Sequence, residues 1–321
     1  MAELRYNPLI KDWVMIASHR QERPQMPKDF CPFCPGSGRV PENYDVYCYP
    51  NDFPALSKNP PAPDNVATSF FKTRPAYGAC EVILYSPDHN KSLPQLSCGH
   101  IEKLVDLWAK RFEELSKDEK MKYIFIFENR GDAVGVTMPH PHGQIYAYSV
   151  VPKKLETELC ACREYFGENQ KCLLCDLLAA EKAFGARVIA ENQDFTAVLP
   201  FFSEYPYGIY IFANSHVQNL TQFSKSQRRN LAQMLKDVAG ALDSLFGYRF
   251  PYMMCLYQNP VNGEDVSGYY HFHIAFYPPM RSRDKQKFNA SSETGAWAHC
   301  NPTAPEEKAA ELRAALEKFK K

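Results

Sequence analysis

The chain has 321 residues, 45% of them hydrophobic and 23% charged, and its 37 Lys and Arg balance 37 Asp and Glu. This is the make-up of a globular protein of one or two domains. It has no basic stripe for a nucleic acid and no apolar run long enough for a bilayer, although a small anionic substrate needs only a few local cations. The opening Met1-Ala2-Glu3-Leu4-Arg5 lacks an apolar signal core, so the expected location is the cytoplasm. Eleven cysteines, an odd number that includes two Cys-x-x-Cys pairs, favour metal ligands and free thiols over a disulfide framework.

In chain order, the first half presents Cys31-Pro-Phe-Cys34, Asn51-Asp-Phe53-Pro-Ala-Leu56 and a predicted strand over 81–85. Ser86-Pro-Asp-His89, a helix over about 99–115 and a β-rich run over 123–129 follow. That run leads into Met138-Pro139-His140-Pro141-His142-Gly143-Gln144. In an extended chain, alternate side chains share a face, so His140, His142 and Gln144 are predicted to point into one pocket. Burying two imidazoles and an amide on one strand face is costly unless something binds there.

A polar segment predicted as helix over 154–166 joins this half to a second one with the same order of signals. There Cys172-Leu-Leu-Cys175 precedes Asp194-Phe195-Thr-Ala197, a strand over 208–212, His216, a helix over about 225–246 and His271-Phe-His273. An ordered match of this kind indicates duplication. The predicted fold is α+β: two repeats, 1–153 and 154–321, each a mostly antiparallel sheet with a long helix packed on it. A final helix is expected over 305–318, with a capping start at Thr303.

Cys31, Cys34, His89 and His140 compose one Cys2His2 set, and Cys172, Cys175, His216 and His271 the equivalent set in the second half. Such donors suit zinc, and four protein ligands leave no open position, so two structural zinc ions are expected. Either Cys-x-x-Cys taken alone reads equally well as a redox dithiol or as two buried thiols. The matched histidine separations favour the metal.

The 140–144 strand, with glutamine at its third polar position, resembles the histidine-triad strand in its transferase form. With His19-Arg20-Gln21-Glu22-Arg23-Pro24, Asn51-Asp52-Phe53, Ser86-Pro87-Asp88-His89, Phe127-Glu128-Asn129 and Phe276-Tyr277-Pro278-Pro279, the chain resembles the galactose-1-phosphate uridylyltransferase family of the histidine-triad superfamily. The resemblance implies exchange of UMP between UDP-glucose and galactose 1-phosphate by a ping-pong route through a uridylyl-histidine. It makes His142 the nucleophile and Gln144 a neutral donor to the phosphoryl oxygens. It places Arg20 and Arg23 on phosphates, Asn51, Phe53 and Val82 at the nucleoside, and Asn129 and Thr137 in the phosphate pocket. Lys287 and Glu293 approach the hexose phosphate across the interface of a homodimer with a shared active site.

The match has departures. Where some members hold a second metal with a glutamate and histidines, Glu158 is present but Ala275 and Tyr257-Gln258 lack the imidazoles. Ser292 stands where many members have tyrosine. The Cys172 set resembles that of ADP-glucose phosphorylases, so an ADP-sugar phosphorylase or adenylyltransferase using the same histidine is the alternative enzyme. A nucleotide-binding zinc protein without turnover is the alternative outside enzymes. His273 is expected to be a packed core residue, because Ala275 replaces the glutamine of the first half.

Overall fold

The computed structural model describes residues 2–22 and 30–321, so Arg23, expected on a phosphate, lies outside the described residues. The chain opens with β1 (Ala2–Asn7) and β2 (Asp12–Ala17), then β3 (Tyr47–Pro50), β4 (Thr73–Pro75), β5 (Gly78–Leu84), α1 (Cys98–Ser116), β6 (Tyr123–Arg130) and β7 (His142–Tyr148). After the connecting α2 (Lys153–Asn169) come α3 (Leu173–Phe184), β8 (Val188–Glu191), β9 (Phe195–Val198) and β10 (Ile209–Ala213). Then follow α4 (Lys225–Phe246), β11 (Tyr252–Tyr257), β12 (His273–Tyr277), α5 (Ser291–Ala296) and α6 (Pro305–Lys320).

The two halves do not form separate sheets. Among the described residues, one nine-stranded sheet runs β3-β5-β7-β6-β11-β12-β10-β9-β8, with its halves joined by antiparallel pairing of β6 and β11 from Tyr252↔Arg130 to Leu256↔Ile126. Read outward from that seam, β6-β7-β5-β3 corresponds to β11-β12-β10-β9, with β8 added at the second edge, as duplication predicts.

Both long helices cover one face of this sheet. In α1, Ile101, Leu104, Val105, Trp108, Ala109, Phe112 and Leu115 recur at helical spacing and are buried, while the Ser97 side chain caps the N-terminus at the His100 amide. In α4 the Ser224–Gln227 capping box starts the helix. At Gly240 any Cβ would lie 2.4 Å from the Phe319 ring, so glycine is what lets α6 pack closely on α4. Helix α6 is capped at Ala304, one residue later than expected, because Pro305 takes the first helical position. The Thr303 hydroxyl instead donates to Asn301.

The opposite face carries the candidate site. The registers put His142, Gln144, Phe127, Asn129, Cys255, His273 and Ala275 on this one face. Leu4 and Ala2 of β1 pack over it at Cys80 and Tyr146, and α2 and α3 cover its second half. Between them Phe125, Phe127, Gln144, Met253 and Cys255 are only half-buried. No helix among the described residues is long and apolar enough to cross a membrane.

Candidate active site and metal centres

The prolines on either side of His140 have no N–H to give a ladder, so regular pairing starts at His142 rather than before it. Of the three residues expected in one pocket, His142 and Gln144 share a sheet face, whereas the cavity beside His142 is lined by His140 and His142 and not by Gln144. The Tyr85 amide holds the Pro141 carbonyl at 3.0 Å, and the chain turns the buried His140 ring into a cluster with the half-buried Cys31, Cys34 and His89.

In that cluster the four donor atoms lie within 4.8 Å of one another. His140 Nδ1 is 3.7 Å from each sulfur, and His89 Nδ1 is 3.5 Å from Cys34 Sγ. Tetrahedral zinc with ordinary bond lengths separates its S and N ligands by about 3.6 Å, so the cage fits that ion. His140 Nε2 donates to the Ser86 carbonyl at 2.8 Å, which leaves Nδ1 with its lone pair toward the cysteines. Burial pushes the Cys34 thiol up to about 11 and the His140 imidazole down to about 4, so the cluster favours uncharged groups until a cation compensates two thiolates.

The second set is assembled in the same way. Cys175 Sγ lies 3.3 Å from His216 Nδ1 and 3.2 Å from His271 Nδ1. Nε2 of His216 donates to the Ser267 carbonyl at 2.7 Å, and that of His271 to Ala213 at 2.9 Å. Cys172 completes the group.

His142 opens β7 opposite Leu84. Its Nδ1 is 2.8 Å from the His140 carbonyl, which can only accept, so Nδ1 carries the proton and Nε2 keeps its lone pair. The ring lies 6.1 Å from that of Phe33, the residue between the first two cysteines' turn positions, and Phe33 also meets His140 at 6.0 Å. Gly143 is required beneath it, since a Cβ there would sit 2.4 Å from the Tyr85 hydroxyl.

His142 borders a cavity of about 280 Å³ also lined by Asn129, Gly131, Met138, Lys91 and Arg249. Thr137 is exposed on the loop between Val136 and Met138, two of its lining residues. Gln144 is half-buried on the same face as His142 and pairs with Val82 on one side and Phe127 on the other. Arg20 reaches this face by donating to the Tyr146 hydroxyl at 3.1 Å.

Other expected residues lie elsewhere. Asn51 and Phe53 form a turn, the Asn51 carboxamide accepting from the Phe53 amide at 2.9 Å, and Asn51 lines a separate cavity of about 490 Å³ with Cys80 and Arg111. Lys287 and Glu293 engage each other at 3.1 Å beside Tyr205 and do not line the cavity at His142. The backbone amides around Glu293, with the Lys287 ammonium next, hold that carboxyl down to about 2. Lys91, Arg249 and Tyr44 drew no notice as sequence, because a lone cation or tyrosine in a loop has no signal by spacing.

His273 repeats the tautomer of His142, donating from Nδ1 to the His271 carbonyl at 3.1 Å. It is buried, however, and its ring stacks on Tyr257 at 4.7 Å and 4° while Glu158 lies 3.6 Å from Nε2. Helix α2 and the aromatic side chains pack against His273, where among the described residues His142 borders a cavity.

Sequence models of two families match the chain: the N-terminal domain of galactose-1-phosphate uridyl transferase over residues 1–152 and the C-terminal domain over 158–320. The chain belongs to the galactose-1-phosphate uridyl transferase family. It is 45% identical over 314 residues to the galactose-1-phosphate uridylyltransferase of Thermotoga maritima, with 98% of each chain covered. A solved uridylyltransferase superposes with a TM-score of 0.91 at 32% identity, covering 99% of this chain and 100% of that one. An ADP-glucose phosphorylase from Arabidopsis thaliana with bound ADP-glucose gives 0.75 at 26% identity, covering 98% and 99%.

Glu128, next to Asn129 and also lining the cavity, points to the helix face, where Tyr252 donates to its carboxylate oxygens at 3.3 Å. Burial raises its carboxyl from 4.5 to about 7. A raised folded value means the folded chain binds the proton more tightly, so this contribution is fully present below about 4.5 and is lost as pH rises to about 7. The loss is on the order of 3 kcal/mol. Glu128→Gln is expected to flatten that pH window in urea unfolding and to be the more stable protein at pH 8. Equal pH slopes for the two proteins would refute the assignment.

Proposed function

We propose that this protein transfers UMP between UDP-glucose and galactose 1-phosphate through a uridylyl-histidine at His142. The carrying observation is the Nδ1 hydrogen bond to the His140 carbonyl in a side chain that borders a cavity; in the neutral ring this bond makes Nε2 the basic nitrogen. Nε2 attacks the α-phosphorus, the bond to the oxygen of glucose 1-phosphate breaks, and that group leaves as a stable anion with the electron pair. A phosphate oxygen of galactose 1-phosphate then attacks the same phosphorus and the P–N bond breaks, giving UDP-galactose. No proton has to be delivered to either leaving group, so an amide at Gln144 suffices to donate to the phosphoryl oxygens.

In this reading Arg20 and Arg23 hold phosphates, Asn129 and Thr137 line their pocket, and Asn51, Phe53 and Val82 border the nucleoside. Residues 1–153 are the catalytic repeat, and 154–321 a structural one. Both cysteine–histidine cages hold zinc, whose part is to fix structure. The protein acts in the cytoplasm as a homodimer, and Lys287 and Glu293 serve the neighbouring subunit's site. The exposed Val14, Met15 and Ile16 on the edge strand β2 support burial against a second copy.

The likeness to an ADP-glucose phosphorylase with bound ADP-glucose favours adenylyl transfer as the second reading. Intact mass after mixing with UDP-glucose alone, or ADP-glucose alone, separates the two. The expected result is a UMP adduct that disappears on adding galactose 1-phosphate. An AMP adduct would transfer the protein to the second reading, and no adduct from either would make it a binding protein.

A further inference from the structure

We propose that Tyr44 is a positioning residue that ties the first metal centre to the nucleophile strand. Tyr44 is half-buried in the loop before β3, ten residues beyond Cys34. Its hydroxyl donates to the Phe33 carbonyl at 2.8 Å and has the Ser86 carbonyl at 3.1 Å as a second acceptor. It also lies 3.2 Å from His140 Nε2, whose N–H goes chiefly to Ser86 at 2.8 Å. One hydroxyl thus joins, outside the donor cluster itself, three segments distant in sequence: the Cys31–Cys34 turn, the loop that carries His89, and His140.

The chain of contacts continues to the chemistry. The carbonyl of His140 accepts from His142 Nδ1, so the plane in which the His140 residue is held decides where Nε2 of His142 points. Removing the Tyr44 hydroxyl frees the His140 ring to rock about its bond to Ser86 and releases the Phe33 carbonyl between the two thiolates. Groups of this kind orient metal ligands, and their loss costs about 10–100-fold in metal affinity or activity.

The second half is an internal control. There His271 Nε2 donates to Ala213 alone among the described residues, with no hydroxyl bridging the cage to the His271-Phe-His273 strand. The bridge belongs to the half whose histidine has to be aimed. Its metal arm stands on geometry, whereas its catalytic arm rests on the reading of His142 as nucleophile.

Tyr44→Phe keeps the ring against Tyr47, 5.9 Å away, and deletes only the hydroxyl. Titration of the zinc-loaded protein with a graded chelator is expected to strip one of two metal equivalents at a free-zinc level about 10–100-fold higher than in the parent, with the other unchanged. At saturating zinc, kcat for UMP exchange is expected to stay about tenfold or more below the parent with KM for UDP-glucose unaltered. An unchanged chelator profile would overturn the proposal whatever the enzyme's substrate proves to be. Full recovery of kcat by excess zinc would overturn the link to His142. Tyr47→Phe, on the same loop-strand junction, should match the parent in both measurements.

Discussion

His142→Gly is expected to lose UMP exchange by roughly 10⁴-fold or more, the scale on which removing a covalent nucleophile lowers turnover. It should do so without loss of metal. The metal-facing nitrogens of the first cage belong to His89 and His140, and the His142 imidazole touches that cage at the His140 backbone carbonyl and the Phe33 ring, not at a donor atom. The stability cost should be about 1 kcal/mol, chiefly the entropy of glycine in a strand. Intact mass should show no UMP adduct, while zinc content and far-ultraviolet circular dichroism match the parent. His273→Gln provides the contrast: it leaves a hole in the Tyr257 stack and costs stability, yet the adduct still forms. Loss of zinc or of folded protein in His142→Gly would make that histidine structural and remove the basis for a covalent intermediate.

Cys31→Ser should lose metal, stability and activity together, whereas Cys172→Ser should lose metal and stability while retaining adduct formation at low temperature. Serine keeps the volume of cysteine but offers a neutral hydroxyl in place of a thiolate. Because metal binding is part of folding, the expected loss is on the order of 3 kcal/mol or more for either variant. For a unit of this size that corresponds to roughly 6–12 °C in Tm. The difference between the variants lies in position. The first cage holds His140, whose carbonyl orients His142, while the second shares no residue with the cavity. Metal content, thermal unfolding and adduct mass on the same samples check this. Equal loss of adduct in both variants would mean that the second half also shapes the site.

Both metal cages were legible before any coordinates, because thiol and imidazole donors are rare residue types and the duplication repeats their order. The long helices were equally legible from capping residues and apolar spacing. Which of the strand's polar side chains share a pocket was not: alternation joined His140, His142 and Gln144, but it assumes a pleated strand, and the prolines at 139 and 141 delay regular pairing until His142, so His140 and His142 line the cavity and Gln144 does not. Substrate-facing roles are not legible in the same way. Asn129 lines the cavity at His142, Asn51, expected at the nucleoside, lines another, and Lys287, expected to serve a second subunit, is engaged with Glu293. An arginine, lysine or asparagine has many partners open to it, and spacing does not choose among them.

The sequence by itself determined the chemistry available to this protein: two Cys2His2 donor sets, one His-x-His-x-Gln strand and one His-x-His-x-Ala strand in duplicated halves. Only the tertiary structure decided that the halves share one sheet through β6 and β11, since backbone pairing leaves no mark on residue type. It also decided which histidine borders a cavity among the described residues. His142 and His273 donate alike to the carbonyl two residues back, yet one borders a cavity and the other is roofed by Tyr257 and faced by Glu158. Local geometry follows from the local motif; access to solvent and substrate depends on what distant segments pack above it.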